Sequence, residues 1–230
     1  MITGACPFEI PPEIKVSALY ASGGFVVFRG LLADESFREL VAEALTARAG
    51  GKRNVLAASD RTEERGGSPC RAFTSAPGGV VQWRLFSAPA LLASLAQICG
   101  LSAQPTGGGS YTYYEEAGDF LALHRDIVTC DLAVITCLQE TAPEHCGGGL
   151  LVYPRHMSEP LLSVRAAGRA TAIPAVLRRG DTIALLGGIV PHEVIPMEQR
   201  RQRIVSVMCY RVLPAGWVSS YSRRSRMTGG

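Results

Sequence analysis

The chain has 230 residues, 47% hydrophobic and 19% charged, which supplies enough apolar surface for a packed core and excludes a disordered chain. Its 23 basic and 20 acidic residues leave a formal charge of +3. The basic residues are scattered rather than striped, which argues against nucleic acid as a partner.

No run of about 18 apolar residues is present to span a membrane. The opening stretch MITGACPFEIPPEIK lacks a basic segment followed by an apolar one, so no secretory leader is expected. Seven cysteines without a CxxC pair favour reduced thiols and a cytoplasmic location over a disulfide scaffold, a zinc finger or a redox dithiol. Apart from Lys15 and Lys52 the positive side chains are arginine, each a ready partner for a carboxylate.

In chain order, Phe-Val-Val-Phe-Arg at 25–29, closed by Gly30, predicts a first strand. The segment LLADESFRELVAEALTARAG predicts a helix, with Asp34 as its cap, Phe37, Leu40, Val41, Ala44 and Leu45 at helical spacing, and Gly50–Gly51 as its stop. Residues 50–80, rich in glycine, serine and arginine without a clear period, read as a long loop and a candidate lid. PALLASLAQICG predicts a second short helix, with Pro89 early and Gly100 at its end.

From residue 109 the pattern changes to short strand-like runs: SYTYYE, LAVITCLQE, LLVYP, IALLG, PHEVI and RIVSVMCYRV, separated by glycine, proline and charged turns. The expected architecture is therefore one domain, mainly β with supporting helices around an antiparallel jelly-roll core. Residues 1–105 would give helical support, 106–212 the core, and 213–230 a frayed basic tail.

Four histidines are present: His124, His145, His156 and His192. His124 stands two residues before Asp126 in LALHRDI, a spacing that in extended chain puts imidazole and carboxylate on one face. An H-x-D arises by chance in roughly one chain of this composition in ten, so the motif alone is weak. Sixty-six residues after Asp126, His192 lies in IALLGGIVPHEVIP. Two imidazole nitrogens and one carboxylate form the 2-His-1-carboxylate triad that leaves positions open on Fe(II). Arg203 opens the apolar strand IVSVMCY, where a guanidinium needs a carboxylate partner. His145 and Cys146 lie side by side without a second pair to complete another metal site, and His156 reads as solvated. Gly147–Gly149 marks either a close backbone approach or a flexible hairpin loop.

In that order these pieces resemble the Fe(II)- and 2-oxoglutarate-dependent oxygenases, near the prolyl-hydroxylase-like and phytanoyl-hydroxylase-like branch, over roughly residues 23–212. GGFVVFRGLLADESFREL is similar to the family's first strand and helix. YYEEAGDFLALHRD is similar to its Tyr…Gly…aromatic…His-x-Asp segment. GGGLLVYP and GDTIALLGGIVPHEV…RIVSV are similar to its later strands.

The resemblance implies a double-stranded β-helix (jelly-roll, cupin-like) core. It implies His124, Asp126 and His192 as iron ligands and Arg203 as partner of the far carboxylate of 2-oxoglutarate, with Arg201, of the same strand parity, as competitor. Tyr114, ten residues before His124, resembles the tyrosine that helps hold the cosubstrate, with Tyr111 and Tyr113 as competitors. Cys137 stands where some relatives place a second tyrosine.

The implied cofactors are Fe(II), 2-oxoglutarate as cosubstrate, and O2. The implied activity is a dioxygenase that hydroxylates a small molecule such as a free amino acid or a biosynthetic intermediate. Desaturation, cyclisation and epimerisation stay open, whereas the carboxylate of Asp126 disfavours halogenation. The alternatives are a protein or peptide hydroxylase of prolyl type, a cupin-like metal protein that is not an oxygenase, and a decayed oxygenase fold serving as an interaction module. The loop at 50–80, containing Arg53, Arg61, Arg65 and Arg71, is the candidate substrate lid, with a solvated variable loop as the alternative. No nucleic-acid or membrane partner is implied.

Overall fold

The computed structural model describes residues 10–58, 65, 67–140 and 147–212. Two single turns, α1 (Pro12–Lys15) and α2 (Ala18–Ala21), lead into β1 (Phe25–Arg29) and helix α3 (Asp34–Ala47). Strands β2 (Lys52–Leu56) and β3 (Arg71–Pro77) follow, then α4 (Val80–Phe86) and α5 (Pro89–Cys99). Next come β4 (Gln104–Tyr114), β5 (Phe120–His124), β6 (Leu132–Glu140), β7 (Leu150–Val152) and α6 (Leu161–Ala167). The chain continues through β8 (Ile173–Ala175), β9 (Asp181–Leu185), β10 (His192–Val194) and β11 (Arg203–Arg211).

The strands run in the order β1-β9-β6-β11-β4-β3-β5-β10-β7-β8, with β2 on the free edge of β3. β1, β9, β6, β11 and β4 form one sheet and β5, β10, β7 and β8 the other, joined because β3 pairs with both β4 and β5. Tyr114, Cys137 and Ile183 of the first sheet share one buried cluster with Leu150, Val152 and Val194 of the second. The two inner faces therefore close on each other as a jelly roll, as the sequence predicts.

Helix α3 buries Leu40 and Ala44 against Ala76, Tyr111, Tyr113, Leu138 and Ile204 on the outer face of the first sheet. Truncating such a buried leucine to alanine costs about 2–5 kcal/mol. Asp34 is not its cap: the N-cap is Ala33, and Asp34 and Glu35 lie in the first turn, where acidic charge meets the helix dipole. Glu43 of α3 does cap a helix. Its carboxylate accepts the N–H groups of Gly79 (3.2 Å), Val81 (2.6 Å) and Gln82 (2.9 Å) at the start of α4, and the Tyr111 hydroxyl at 2.6 Å. Helix α5 starts at Pro89 and ends on Gly100 at φ +67°, a left-handed position that suits glycine.

Two expectations are corrected. Residues 50–80 are not one long loop, because β2, β3 and the start of α4 lie within them. β2 is an edge strand with an exposed face, so its sequence KRNVL carries no apolar run to betray it. The cysteines are not all reduced: Cys130, just before β6, is bonded to Cys209 in β11. Register places Cys209 opposite Ala133, which brings the two cysteine Cα atoms to 4.8 Å. Cys70, Cys99 and Cys137, the other described cysteines, form no disulfide. Among the described residues no helix is long and apolar enough to cross a membrane.

Candidate functional site

β5 and β10 are neighbours whose register sets His192 opposite His124. Opposed residues on adjacent strands share a face, so the two imidazoles stand side by side with ring centres 4.2 Å apart. That face is the inner one, since Val194, two residues along β10, belongs to the core between the sheets. Asp126 lies just past β5, where its N–H donates to the Gly187 carbonyl at 2.8 Å. Its Oδ1 is 3.5 Å from His124 Nε2 and 3.6 Å from His192 Nε2. The three ligand atoms fall within 4.8 Å of one another, a separation one ion can bridge. Among the described residues this is the one such group of three.

The surroundings set the chemistry of the trio. Nδ1 of His124 and of His192 each lies 2.9 Å from a carbonyl two residues upstream, Ala122 and Val190. Donation there leaves the Nε2 lone pair of each ring for a metal. Burial pushes the His124 imidazole below its ordinary pKa, and the neighbouring His192 pushes the same way. Burial opposes the charged form of His192 too, but the Asp126 carboxylate outweighs it and holds this imidazole above its usual value. Burial would raise Asp126; the two imidazoles override it and hold the carboxyl well below the usual range. A half-buried carboxylate kept ionised between two buried imidazoles is suited to a cation.

Gly187 makes room for this arrangement. A Cβ there would lie 1.9 Å from Asp126 Oδ2. At Gly188 a Cβ would lie 2.7 Å from the guanidinium carbon of Arg65. Arg65 is buried, pairs with Asp131, and donates to the Ile127 carbonyl at 3.0 Å. The loop that carries Asp126 is thus gripped from one side by Arg65.

A second group faces the same interior. Arg203 opens β11 opposite Tyr114 of β4 and Glu140 of β6, and its parity matches the core residue Val205. Its Nε lies 3.5 Å from Glu140 Oε2 and its guanidinium carbon 5.4 Å from the centre of the Tyr114 ring. Its Nη1 is buried without a hydrogen bond, a costly omission that an incoming carboxylate would correct. The Arg201 side chain is likewise buried; its Nη2 donates to the Gly147 carbonyl at 2.6 Å and its Nη1 lies 3.9 Å from Glu140 Oε1.

Among the three tyrosines, strand alternation separates the roles. Tyr111 and Tyr113 point to the outer face, where their hydroxyls donate to Glu43 and to the Ala44 carbonyl at 2.6 Å. Tyr114 alone points inward, and burial pushes its hydroxyl up to about 12. Cys137 lies in the same core, with its thiol pushed up to about 11 by burial despite the nearby Arg203.

The remaining predicted residues divide. His156 is buried rather than solvated, with Nδ1 3.0 Å from a Glu159 carboxylate oxygen. His145, Cys146 and Arg61 lie outside the described residues. Arg53 pairs with the buried Asp119 at 2.5 Å. Gly147, at φ +78°, is a close approach: a Cβ there would lie 2.2 Å from the Pro196 carbonyl. Sequence reasoning overlooked Arg125, which sits between two of the ligands. Its buried guanidinium donates to the carbonyls of Ile189 (2.7 Å), His156 (3.1 Å), Met157 (3.2 Å) and Glu159 (2.7 Å). It fastens the segment after β5 to the approach of β10, and only its adjacency to the H-x-D pair hinted at this.

No protein-family model and no curated protein matches the chain. Solved structures do match it. A prolyl-4-hydroxylase from Pseudomonas putida is similar with a TM-score of 0.56 at 20% identity, over 85% of this chain and 96% of its own. A prolyl hydroxylase from Trichoplax adhaerens, in complex with a peptide fragment of the hypoxia-inducible-factor oxygen degradation domain, matches with a TM-score of 0.60 at 14% identity, over 92% and 90%. HygX from Streptomyces hygroscopicus, with nickel, 2-oxoglutarate and hygromycin B bound, matches with a TM-score of 0.58 at 16% identity, over 91% and 90%. At these identities the likeness establishes a shared fold.

Proposed function

We propose that this chain, which has the fold of those hydroxylases and of HygX, is an Fe(II)- and 2-oxoglutarate-dependent dioxygenase that hydroxylates a small molecule, such as a free amino acid or a biosynthetic intermediate. The observation that carries the reading is the His124–Asp126–His192 trio, with both buried Nε2 atoms turned to one carboxylate oxygen. Arg203, with a buried Nη1 lacking a partner, supports it from the facing sheet.

His124, Asp126 and His192 would hold the iron, which with 2-oxoglutarate and O2 supplies the oxidising chemistry as the cosubstrate is converted to succinate and CO2. Arg203 would bind the far carboxylate of 2-oxoglutarate, its fork held by Glu140 and backed by the Tyr114 ring. Tyr114, whose hydroxyl has no hydrogen-bond partner among the described residues, would donate to the same carboxylate. Ala122 and Val190 fix the imidazole tautomers through their carbonyls, and Gly187 leaves the Asp126 carboxylate free to swing onto the ion. Arg65 donates to the Ile127 carbonyl and pairs with Asp131, which steadies the loop that carries Asp126.

The carboxylate at Asp126 fills the position that a halide would need, so hydroxylation and its radical relatives fit and halogenation does not. A small substrate accords with hygromycin B in HygX; the peptide in the Trichoplax adhaerens enzyme marks the rival reading.

The test is anaerobic. Fe(II) and then 2-oxoglutarate are added to the purified protein, and a weak visible charge-transfer band is sought. The band is expected in the wild type and absent in His192→Ala. Iron demonstrably bound with no band would overturn keto-acid chelation and leave a cupin-like metal protein. Succinate formation with free amino acids, set against proline-containing peptides, then separates the two substrate classes.

A further inference from the structure

We infer that Arg71 is an anion anchor for the primary substrate, so that the substrate carries a carboxylate or a comparable oxyanion. This rests on the oxygenase reading and adds the substrate's charge to it.

The strand ladder places the side chain. In β3, Thr74 and Ala76 are paired with Tyr113 and Tyr111, all turned to the outer face under α3. Alternation then turns Arg71, Phe73 and Ser75 inward. Phe73 confirms it, because its ring packs 5.8 Å from that of the inward Tyr114. Arg71 is opposite Leu121 of β5 on one side and Leu56 of β2 on the other. Leu121 is in turn opposite Val194 of β10, two residues from His192, and that is about 7 Å along a strand. Arg71 thus lies on the same face of the same sheet as the imidazoles, one strand away from His124.

Among the described residues its side chain is uncommitted. The other described arginines near the trio are engaged: Arg125 on four carbonyls, Arg65 on Asp131 and Ile127, and Arg53 on Asp119. Arg71 is half-buried and, among the described residues, its side chain has no hydrogen bond, ion pair or ring contact. A half-buried guanidinium between two leucines and without an acceptor is poorly placed for stability. It is well placed to take an anion in bidentate fashion.

Phe73 and Tyr114 stand between Arg71 and Arg203, since Arg203 lies over the Tyr114 ring and Phe73 against it. The inner face therefore carries two separate cationic positions. Arg203 suits the cosubstrate's far carboxylate, and Arg71, paired with the strand that carries His124, suits a second anion.

The test uses the full chain loaded anaerobically with Fe(II) and 2-oxoglutarate, so that the visible band first checks the parent reading. Phenylglyoxal, an arginine reagent, is then applied, and modification of the peptide carrying Arg71 is followed by mass spectrometry. The probes are the free amino acids and a set of simple aromatic and aliphatic monocarboxylates, each compared with its primary amide. Arg71 is expected to react, and at least one acid should slow the reaction tenfold or more where its amide does not. In Arg71→Gln, binding of that acid should weaken at least tenfold while the half-saturating 2-oxoglutarate concentration stays unchanged. With the band present, the inference is overturned if Arg71 is unreactive, if acid and amide protect equally, or if no acid protects. A change confined to 2-oxoglutarate would also overturn it, moving Arg71 to the cosubstrate. Absence of the band removes the parent reading, and this inference with it.

Discussion

Arg203 and Tyr114 face each other across the β11–β4 ladder, with the guanidinium carbon 5.4 Å from the centre of the ring. The ring backs one face of the guanidinium while Glu140 approaches its Nε, and its Nη1 is buried without a hydrogen bond. Arg201, two residues earlier, already donates to the Gly147 carbonyl.

Arg203→Ala should therefore raise the half-saturating concentration of 2-oxoglutarate by about 10- to 100-fold, the loss of a charge-assisted hydrogen bond of about 1.5–3 kcal/mol. Arg203→Lys should recover little of this, because an ammonium lacks the planar fork. Arg201→Ala should change the value by less than about threefold, since it removes a backbone contact rather than a ligand. Steady-state titration of 2-oxoglutarate decides the matter. The reverse ranking would put the cosubstrate on Arg201.

Metal affinity should rise with pH. Asp126 holds the His192 imidazole above its ordinary pKa, burial notwithstanding, so the metal-free site keeps a proton that the metal must displace. Below that pKa binding carries the cost of deprotonation; above it the ring is already a ligand. Co(II) titrations at about pH 6 and about pH 8 should show the tighter binding at the higher value, with proton release at the lower one. Equal affinities at both would show that His192 is neutral before the metal arrives. In His192→Ala binding should weaken by orders of magnitude while far-ultraviolet dichroism is kept, because the ring lies at a strand start on the cavity side.

Gly187→Ala should damage the site more than the fold. The added methyl would fall 1.9 Å from Asp126 Oδ2, and no φ constraint applies there, since Gly187 is not among the positive-φ glycines. The clash is relieved by turning the carboxylate away from the imidazoles. The expected result is a marked loss of Co(II) affinity with a thermal midpoint within a few degrees of wild type. Affinity equal to wild type would mean that the loop shifts freely and that Gly187 serves another purpose.

How much of this was legible in the sequence depends on how local each signal is. His124 and Asp126 were visible because the i, i+2 relation is a property of extended chain, and His192 because a lone histidine opened a strand. The choice of Tyr114 needed a fact that lies outside the strand: α3 covers one face of β4, so parity sends Tyr111 and Tyr113 to Glu43 and Ala44. β2 was hidden because an edge strand can be polar. Arg65 and Arg125 were unreadable as structural groups, because their acceptors are mostly carbonyls and a carboxylate distant in sequence. The burial of His156 came from the same packing, since its carbonyl is one of those Arg125 holds.

The Cys130–Cys209 bond likewise joins positions 79 residues apart, a pairing that spacing cannot reveal. Loop-closure entropy for that length gives about 4–5 kcal/mol as an upper figure. A Cys130→Ser, Cys209→Ser double variant should accordingly melt roughly 10 °C lower than the oxidised wild type. The metal site should hardly notice. Asp131, next to Cys130, is kept in place by other means: its N–H donates to the Tyr210 carbonyl (2.9 Å), its carbonyl accepts from Gly188 (3.2 Å), and its carboxylate accepts from Val212 (3.0 Å) and pairs with Arg65. Co(II) affinity in the double variant should stay within about threefold of wild type, since contacts of this kind are worth about 1 kcal/mol each and several remain. Calorimetry with and without a thiol reductant, paired with the Co(II) titration, reads both quantities. A midpoint insensitive to reductant would show the two thiols unpaired in solution, and a collapse of metal affinity would show that the bond reaches the site through Asp131 and Gly188.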